Sequence, residues 1–518
     1  MSATPGNRHW PSRAAGFVAV AVFLLLVARF WHPVYGFTSF LQLDSSNDSV
    51  KIAAFRERPV FVYRDTGGYD GLYYAQIAYH PALAAAELAP AMDSLSYRAR
   101  RILPPLLAWV IAAGNPDWIV HVYSLLNVGA WLALAALLWR LLAVQSARGW
   151  LAWAGVLFSA GALSSVRLAL TDLVALAILA GALLAAERGR RGWALGSVAA
   201  AGLARESSLV ALAGLVERPW VSWRNLARAA LVVAPLAGWI IYVNWRAGEN
   251  SNGLYNFAWP VTGYVGKWQG LIGALRHERE RLLVWTTVAA TLGLSVQAAF
   301  FLVHWQPGDR WWRIGAGYTA LLLCLGTPVW EGFPGAATRV LLPLNLAFNV
   351  LAHRTRASLA WLLAGNLTVF AGLLALGSVP RDNRELAAAR ADDTACVARL
   401  GPGWFPVERS LRHTWAWSGT ASQLEFTTWS RRDQPVRVEF FIRSLVGRTV
   451  IIRDAHGECW RGAVGPGKLP VTVATRLTAG QGRLEFSTPE PAATESPEHG
   501  GRALAFALYD ARLVLPEP

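Results

Sequence analysis
Between residues 14 and 377 the chain alternates long apolar runs with short breaks that carry arginine; beyond 377 apolar and polar positions alternate over short segments. The first run, 14–30, is long enough to cross a hydrocarbon core of ~30 Å at ~1.5 Å per helical residue. Further spans are predicted at 118–142, 150–163, 169–186, 226–245, 283–304, 314–330, 340–352 and 358–377, with a broken pair at 193–204 and 207–216 around Arg205-Glu206. The run 102–114 holds Pro104-Pro105 and falls short of the ~17-residue lower limit for a span. It predicts a juxtamembrane or re-entrant helix. The pattern is that of a polytopic α-helical membrane protein with about ten or eleven transmembrane helices.

Arginine placement orients these spans. If 102–114 does not cross, Arg140 with Arg148, Arg188 with Arg190 and Arg191, Arg218 with Arg224 and Arg228, Arg310 with Arg313, and Arg354 with Arg356 share one side, the cytoplasmic one by the positive-inside rule. The amino terminus is then cytoplasmic, the long loop 33–101 lies outside, and the carboxy-terminal region is periplasmic. Reading the broken pair as one span would reverse every later loop. For 14–30 a cleaved leader is the alternative, but no A-x-A site follows, and Arg29, Trp31, His32 and Tyr35 form an interfacial set that fits an uncleaved anchor.

These patterns divide the chain into a transmembrane domain at 1–379, a polar linker expected to be helical at 380–403, and a third region at 404–518. There, period-two segments at 423–429, 436–443, 449–453, 469–474, 483–487, 503–509 and 512–515 are separated by turns such as Gly465-Pro466-Gly467 and Gly480-Gln481-Gly482. Val436, Val438, Phe440 and Ile442 share one face. This spacing predicts an extracytoplasmic antiparallel β-sandwich with 488–501 as a surface loop. Cys396 and Cys459 would then meet an oxidising compartment in which they could pair, while Cys324 sits in a span as a small core residue. Trp404, Trp415, Trp417, Trp429 and Trp460 fit either a sugar-stacking surface, as in carbohydrate-binding modules, or the core.

The formal net charge of +15 rests almost wholly on arginine, since Lys51, Lys267 and Lys468 are the only lysines. No basic run is interleaved with aromatics, so the charge serves topology and no nucleic-acid partner is expected. The cysteines form no CxxC pair and no cluster with histidine, so no metal site is indicated and the question of a divalent cofactor stays open. Neither GxxxxGK[ST] nor a GxGxxG between strand and helix occurs, which leaves no nucleotide site.

Ionisable groups at membrane depth are costly, and those outside the cytoplasmic loops gather at the outer face. Asp65, Asp70, Asp93, Arg98, Arg100 and Arg101 belong to the first loop, Arg167 and Asp172 to the end of a span, Arg205-Glu206 to the break, and Glu331 and Arg339 to WEGFPGAATR. Together they describe a polar cavity. A carboxylate can deprotonate a hydroxyl, and arginines can grip a phosphate leaving group. Tyr69, Tyr73, Tyr74 and Tyr97 offer flat faces and hydroxyls to sugar rings. A donor on a lipid phosphate can enter from the membrane lipids.

Each residue also has a plainer reading. Asp70-Gly71 is a turn or helix-cap signal, and Asp44 and Asp48 in DSSNDS suit a solvated loop. Arg98, Arg100 and Arg101 suit headgroup anchors. Asp172 could pair with Arg167 despite poor (i, i+5) spacing, and Arg205-Glu206 could be an internal ion pair.

GYDGLYYAQIA around Asp70, YRARRILPPLLAW, LALTDLVALAIL around Asp172 and GLARES around Arg205-Glu206 together resemble the GT-C superfamily of integral-membrane glycosyltransferases, in particular bacterial members associated with cell-surface glycopolymers. The resemblance covers 14–377. It implies an inverting enzyme of the bacterial inner membrane that moves a sugar from a polyprenyl-phosphate carrier to a glycan or glycolipid acceptor, with an acidic residue of the first outer loop as base. By that likeness Asp70 is the catalytic residue and Arg339, in TRVLLP, contacts the donor phosphate. Tyr69, Tyr73, Tyr97, Arg98, Arg101, Asp172, Arg205 and Glu206 complete the expected substrate site. The first loop has no DD, DE or ED pair, a departure from paired-acid versions of the pattern. A glycan polymerase or ligase using a diphosphate-linked donor, and a non-catalytic transporter or assembly factor, are the rival readings. Charges clustered at one face without internal repeats speak against a transporter.

Overall fold
The computed structural model describes residues 10–64, 66–248, 253–278, 280–380, 382–390, 394–430, 433–478, 480–494 and 501–516. Asp65, the nearest competitor of Asp70 in the first loop, lies outside the described residues, as does 495–500 of the expected surface loop. Two compact units emerge: one comprises 1–30, 37–56 and 60–379, the other 31–36, 57–59 and 380–518.

The first unit is helical. In chain order its helices are α1 (Trp10–Ala28), α2 (Ala53–Arg56), α3 (Gly71–Tyr79), α4 (Leu95–Arg98), α5 (Leu103–Ile111), α6 (Pro116–Leu141), α7 (Ala147–Leu157), α8 (Ala160–Arg167), α9 (Asp172–Glu187) and α10 (Arg191–Ala204). There follow α11 (Trp223–Ala247), α12 (Thr262–His277), α13 (Arg281–Val303), α14 (Arg310–Cys324), α15 (Thr327–Trp330), α16 (Ala337–Val340), α17 (Leu342–Arg354), α18 (Leu359–Gly365) and α19 (Thr368–Ala375). Among the described residues three helices, α6, α11 and α13, are each long and apolar enough to cross a membrane, and α7 with α8 would add a fourth if that bent pair counts as one.

Several expected spans are thus shorter or interrupted, for identifiable reasons. The run 150–163 bends by 40° between α7 and α8, where Ser159 leaves the helix to cap α8 by accepting from Ala162 N. The run 314–330 stops at Cys324 and restarts as α15 with Pro328 in its first turn, the position proline tolerates. The run 358–377 breaks at Asn366, whose side chain exchanges hydrogen bonds of 2.7 and 3.0 Å with Asn349 of α17. An amide pair of this kind joins helices in an apolar interior because neither partner has water as an alternative. By contrast, the expected break at Arg205-Glu206 is present: α10 ends at Ala204, Arg205 is extended, and Glu206–Gly214 is a 3₁₀ turn. α5 has nine residues, about 14 Å of helix and too short to span.

One end of this unit is tied by Glu187, the last residue of α9. It accepts from Arg354 of α17 (2.6 and 2.9 Å) and from Trp311 Nε1 of α14 (2.9 Å), while Arg354 also donates to Leu141 O of α6. Asp172 opens the same 16-residue helix, so the two residues are separated by about 23 Å along the helix axis.

The second unit is built of strands: β1 (Glu385–Ala389), β2 (Ala395–Leu400), β3 (Glu408–Arg409), β4 (Thr414–Ser418), β5 (Ala421–Thr428), β6 (Gln434–Ser444) and β7 (Arg448–Asp454), then β8 (Gly457–Val464), β9 (Leu469–Leu477), β10 (Gln481–Ser487), β11 (Ala493–Thr494), β12 (Ala503–Leu504) and β13 (Phe506–Val514). One sheet has the order β1-β2-β5-β10-β7-β8 and another β3-β4-β13-β6-β9, with antiparallel neighbours. Inward residues of both sheets share one apolar cluster, including Leu424, Phe486, Phe440, Ile442 and Phe506. Val436, Val438, Phe440 and Ile442 do alternate inward along β6.

Three expectations for this region are corrected. The stretch expected to be helical at 380–403 contains β1 and β2 instead, because pairing of β1 with β2 and of β2 with β5 outweighs intrinsic helix preference. The segment 503–509 divides between β12, which pairs with β11, and β13, and 512–515 continues β13 past an irregularity at Asp510, which adopts φ 51. Cys396 on β2 and Cys459 on β8 are free thiols four strands apart in the sheet order, about 19 Å at ~4.8 Å per strand and far beyond disulfide reach. Burial pushes their thiols up to about 12 and about 11.

The five tryptophans do not assemble one exposed face. Trp404 and Trp417 are buried, Trp460 packs on the core, Trp415 stacks on Tyr509 at 5.5 Å, and Trp429 meets Tyr35 edge-on.

Candidate active site
The stretch ahead of α3 is held by a carboxylate that the sequence left as a solvated loop residue. Asp44 is buried, and its oxygens accept from Ser46 N (3.0 Å) and Oγ (2.8 Å) and from Thr66 N (2.8 Å) and Oγ1 (2.7 Å). These bonds, led by the Ser46 and Thr66 amides, hold its carboxyl far below the ordinary range. Tyr69 N then donates to Gln42 O (3.0 Å), so the segment reaches Asp70 in a fixed register.

Asp70 occupies the N-cap position of α3 but is in the αR region, and its side chain makes no capping bond. The carboxylate turns instead to Arg98, with Oδ2 2.6 Å from Nη1. Gly71 is required by close approach: a Cβ there would press on the Leu168 carbonyl oxygen and sit 3.1 Å from that of Leu41. Gly71→Ala is therefore expected to destabilise the protein by about 1–3 kcal/mol through overpacking, with displacement of Asp70, measured as a lower thermal midpoint in detergent.

Arg98, at the end of α4, donates through Nε (3.0 Å) and Nη2 (2.6 Å) to Asp93, and its guanidinium lies 5.1 and 5.3 Å from the ring centroids of Tyr73 and Tyr97. Burial opposes ionisation of Asp93, but the bonds from Arg98 prevail and hold its carboxyl below the usual range. Arg101 donates to Glu206 (3.0 Å), Tyr74 Oη (2.6 Å) and Tyr97 Oη (3.1 Å). Arg205 Nη1 is 2.9 Å from Asp172 Oδ1, and Arg339 Nη1 is 3.7 Å from Oδ2. Arg339 Nη2 also donates to Tyr69 Oη at 2.5 Å.

All ten expected site residues therefore join one network. It closes on itself: Asp70 meets Arg98, Tyr97 meets Arg101, Arg101 meets Glu206, Arg205 meets Asp172, Asp172 meets Arg339, and Arg339 meets Tyr69, with chain neighbours completing each link. The plainer pairings are not the ones formed. Arg167 binds Ser39 O and Tyr63 Oη rather than Asp172, and Arg205 and Glu206 face different partners. Both oxygens of Asp172 and Nε of Arg205 are buried without a well-directed hydrogen bond, although the Asp172–Arg205 ion pair is at contact distance.

Beside this network lies a cavity of about 840 Å³ lined by polar residues of both signs, among them Tyr69, Arg167, Arg339, Glu280 and Glu331, and by apolar ones such as Leu283, Leu374 and Ala375. The 331–335 loop borders it. Lys267 of α12 is anchored to that loop by a bond from Nζ to Gly332 O (2.7 Å), and burial brings its ammonium down to about 8. Asp93 belongs to the polar cavity expected from the sequence but not to the expected substrate site, and Lys267 belongs to neither. For Asp93 a signal existed, since Ser94 caps α4 and Arg98 ends it one turn later. For Lys267 there was none. Among the described residues no group of three His, Cys, Asp or Glu side chains is arranged to hold a metal ion.

No protein-family pattern matches the chain, and no characterised protein sequence matches it. Among solved structures, the arabinosyltransferase EmbB from Mycobacterium smegmatis aligns with 86% of this chain at 13% identity and a TM-score of 0.23. The chain spans 62% of the length of that protein. A likeness this distant carries no argument about fold or activity.

Proposed function
We propose that the protein is an inverting glycosyltransferase of GT-C type, a multi-pass protein of the bacterial inner membrane whose carboxy-terminal β-sandwich is periplasmic. It moves a sugar from a polyprenyl-phosphate carrier to a cell-surface glycan or glycolipid. One observation carries this reading: an outer-loop carboxylate, Asp70, joins a network of buried arginines, one of which, Arg339, lines a cavity that is also lined by apolar residues. The apolar lining suits a lipid chain, and Arg339 suits the phosphate. Asp70 accepts the proton of the acceptor hydroxyl as its oxygen attacks the anomeric carbon from the face opposite the phosphate. The sugar–phosphate C–O bond breaks with its electrons on the phosphate, where arginines stabilise the growing charge. Nε of Arg205, a buried donor without a hydrogen bond, supports a site that substrate completes.

The test is turnover of a panel of polyprenyl-monophosphate pentoses and hexoses, with polyprenyl-diphosphate sugars as a second set, by the purified full-length protein in detergent with glycan acceptors. Transfer from a monophosphate donor is expected. Transfer from diphosphate donors alone would replace this reading with that of a polymerase or ligase, and no turnover of either set would remove it.

A further inference from the structure
We propose that Asp93 is a positioning residue that holds Arg98 between two carboxylates and so tunes how readily Asp70 takes up a proton. The functional meaning of this coupling rests on the reading of Asp70 as base; the coupling itself does not.

The geometry is specific. One planar guanidinium is divided between two acids: Nε and Nη2 serve Asp93 at 3.0 and 2.6 Å, and Nη1 serves Asp70 at 2.6 Å. Asp93 is fixed from its other side, since Oδ1 also accepts from Ser94 N at 2.9 Å. Arg98 is 9% exposed and lies near the rings of Tyr73 and Tyr97, so these two carboxylates are its counter-ions. A proton arriving on Asp70 removes one of its two counter-charges. Asp93 keeps the other, and Arg98 is never left as an isolated buried cation, the state that makes broken buried pairs so costly.

The same division weakens the pull of Arg98 on Asp70, because part of the cation's field is cancelled by Asp93. Of the groups near the pair, Tyr73 also feels the charge of Asp93, which adds to burial in raising its hydroxyl. Burial pushes the hydroxyls of Tyr73 and Tyr74 on α3 and of Tyr255 upward, so they stay neutral. Arg101 is paired with Glu206, and Arg205 and Arg339 with Asp172. On α11, which packs against α4, Arg246 is bound to the Leu83 carbonyl.

The experiment reads protonation of Asp70 directly. Full-length protein in detergent is treated across a pH series with a water-soluble carbodiimide and an amine, which together modify protonated carboxyls, and occupancy at Asp70 is read by peptide mass spectrometry. Asp70→Asn confirms the assignment of the modified peptide. In Asp93→Asn the pH of half-modification is expected to fall by about one unit, and Asp93→Glu to restore it. Arg98→Gln reads the coupling from the other side and is expected to raise that pH by about 1–3 units. An unchanged value in folded Asp93→Asn overturns the proposal, as does an unchanged value in Arg98→Gln if the Asp93 variant fails to fold. Full transfer by Asp70→Asn would instead sink the base assignment and leave the labelling result standing.

Discussion

Asp70→Asn is expected to leave the protein folded and able to bind a polyprenyl-phosphate sugar while lowering transfer by about 10²- to 10⁴-fold, the range that a positioned general base contributes. The substitution is isosteric, and the amide oxygen can still accept from Arg98 Nη1. Asp70 makes no capping bond to α3, so no helix end is lost with the charge. What disappears is the capacity to accept a proton. Single-turnover transfer with a labelled donor, alongside donor binding and elution as a monodisperse species, separates these effects. Transfer at the wild-type rate would eliminate Asp70 as the base.

Asp172→Ala should have the largest effect on stability. The Asp172 side chain is 2% exposed and lies between Arg205 and Arg339, themselves 15% and 7% exposed. Its removal leaves two desolvated guanidiniums to repel each other, with the remaining carboxylates of the network committed to Arg98 and Arg101. Breaking a buried ionic group by deleting one partner costs about 3–5 kcal/mol. The expected readout is a marked fall in the thermal midpoint of the purified protein, with Asp172→Asn falling less because the amide retains acceptor and shape. A midpoint within error of wild type in the alanine variant would show that water reaches these arginines and that the site is far more open than its geometry indicates.

The convergence of the site was legible because burying ionisable residues is costly: charges that interrupt apolar runs on one side of a helical array have few places to go. Which residue pairs with which was not legible. Asp172 and Arg167 are near in sequence yet bind different groups, and the Arg101–Glu206 contact joins residues 105 positions apart. Such partners follow from tertiary packing, to which periodicity is blind. The helix breaks divide in the same way. Arg205-Glu206 announced itself by charge, whereas Ser159 and Asn366 interrupt their runs through single polar side chains that a hydropathy pattern absorbs. In the second unit, alternation along β6 was plain, but β1 and β2 were lost to alanine content, since β2 becomes a strand by pairing with β5 elsewhere in the chain and β1 by pairing with β2.

The closed network of ion pairs has a consequence for how any anion enters. Four guanidiniums, Arg98, Arg101, Arg205 and Arg339, are matched by four carboxylates, Asp70, Asp93, Asp172 and Glu206. The ring itself holds no spare positive charge, whereas Arg167 in the cavity wall is bound to the neutral oxygens Ser39 O and Tyr63 Oη. An anion that draws on the ring enters by exchange rather than addition: an arginine that turns to the newcomer loosens its hold on a carboxylate, and loading one side of the ring changes how tightly acids on the other side are held.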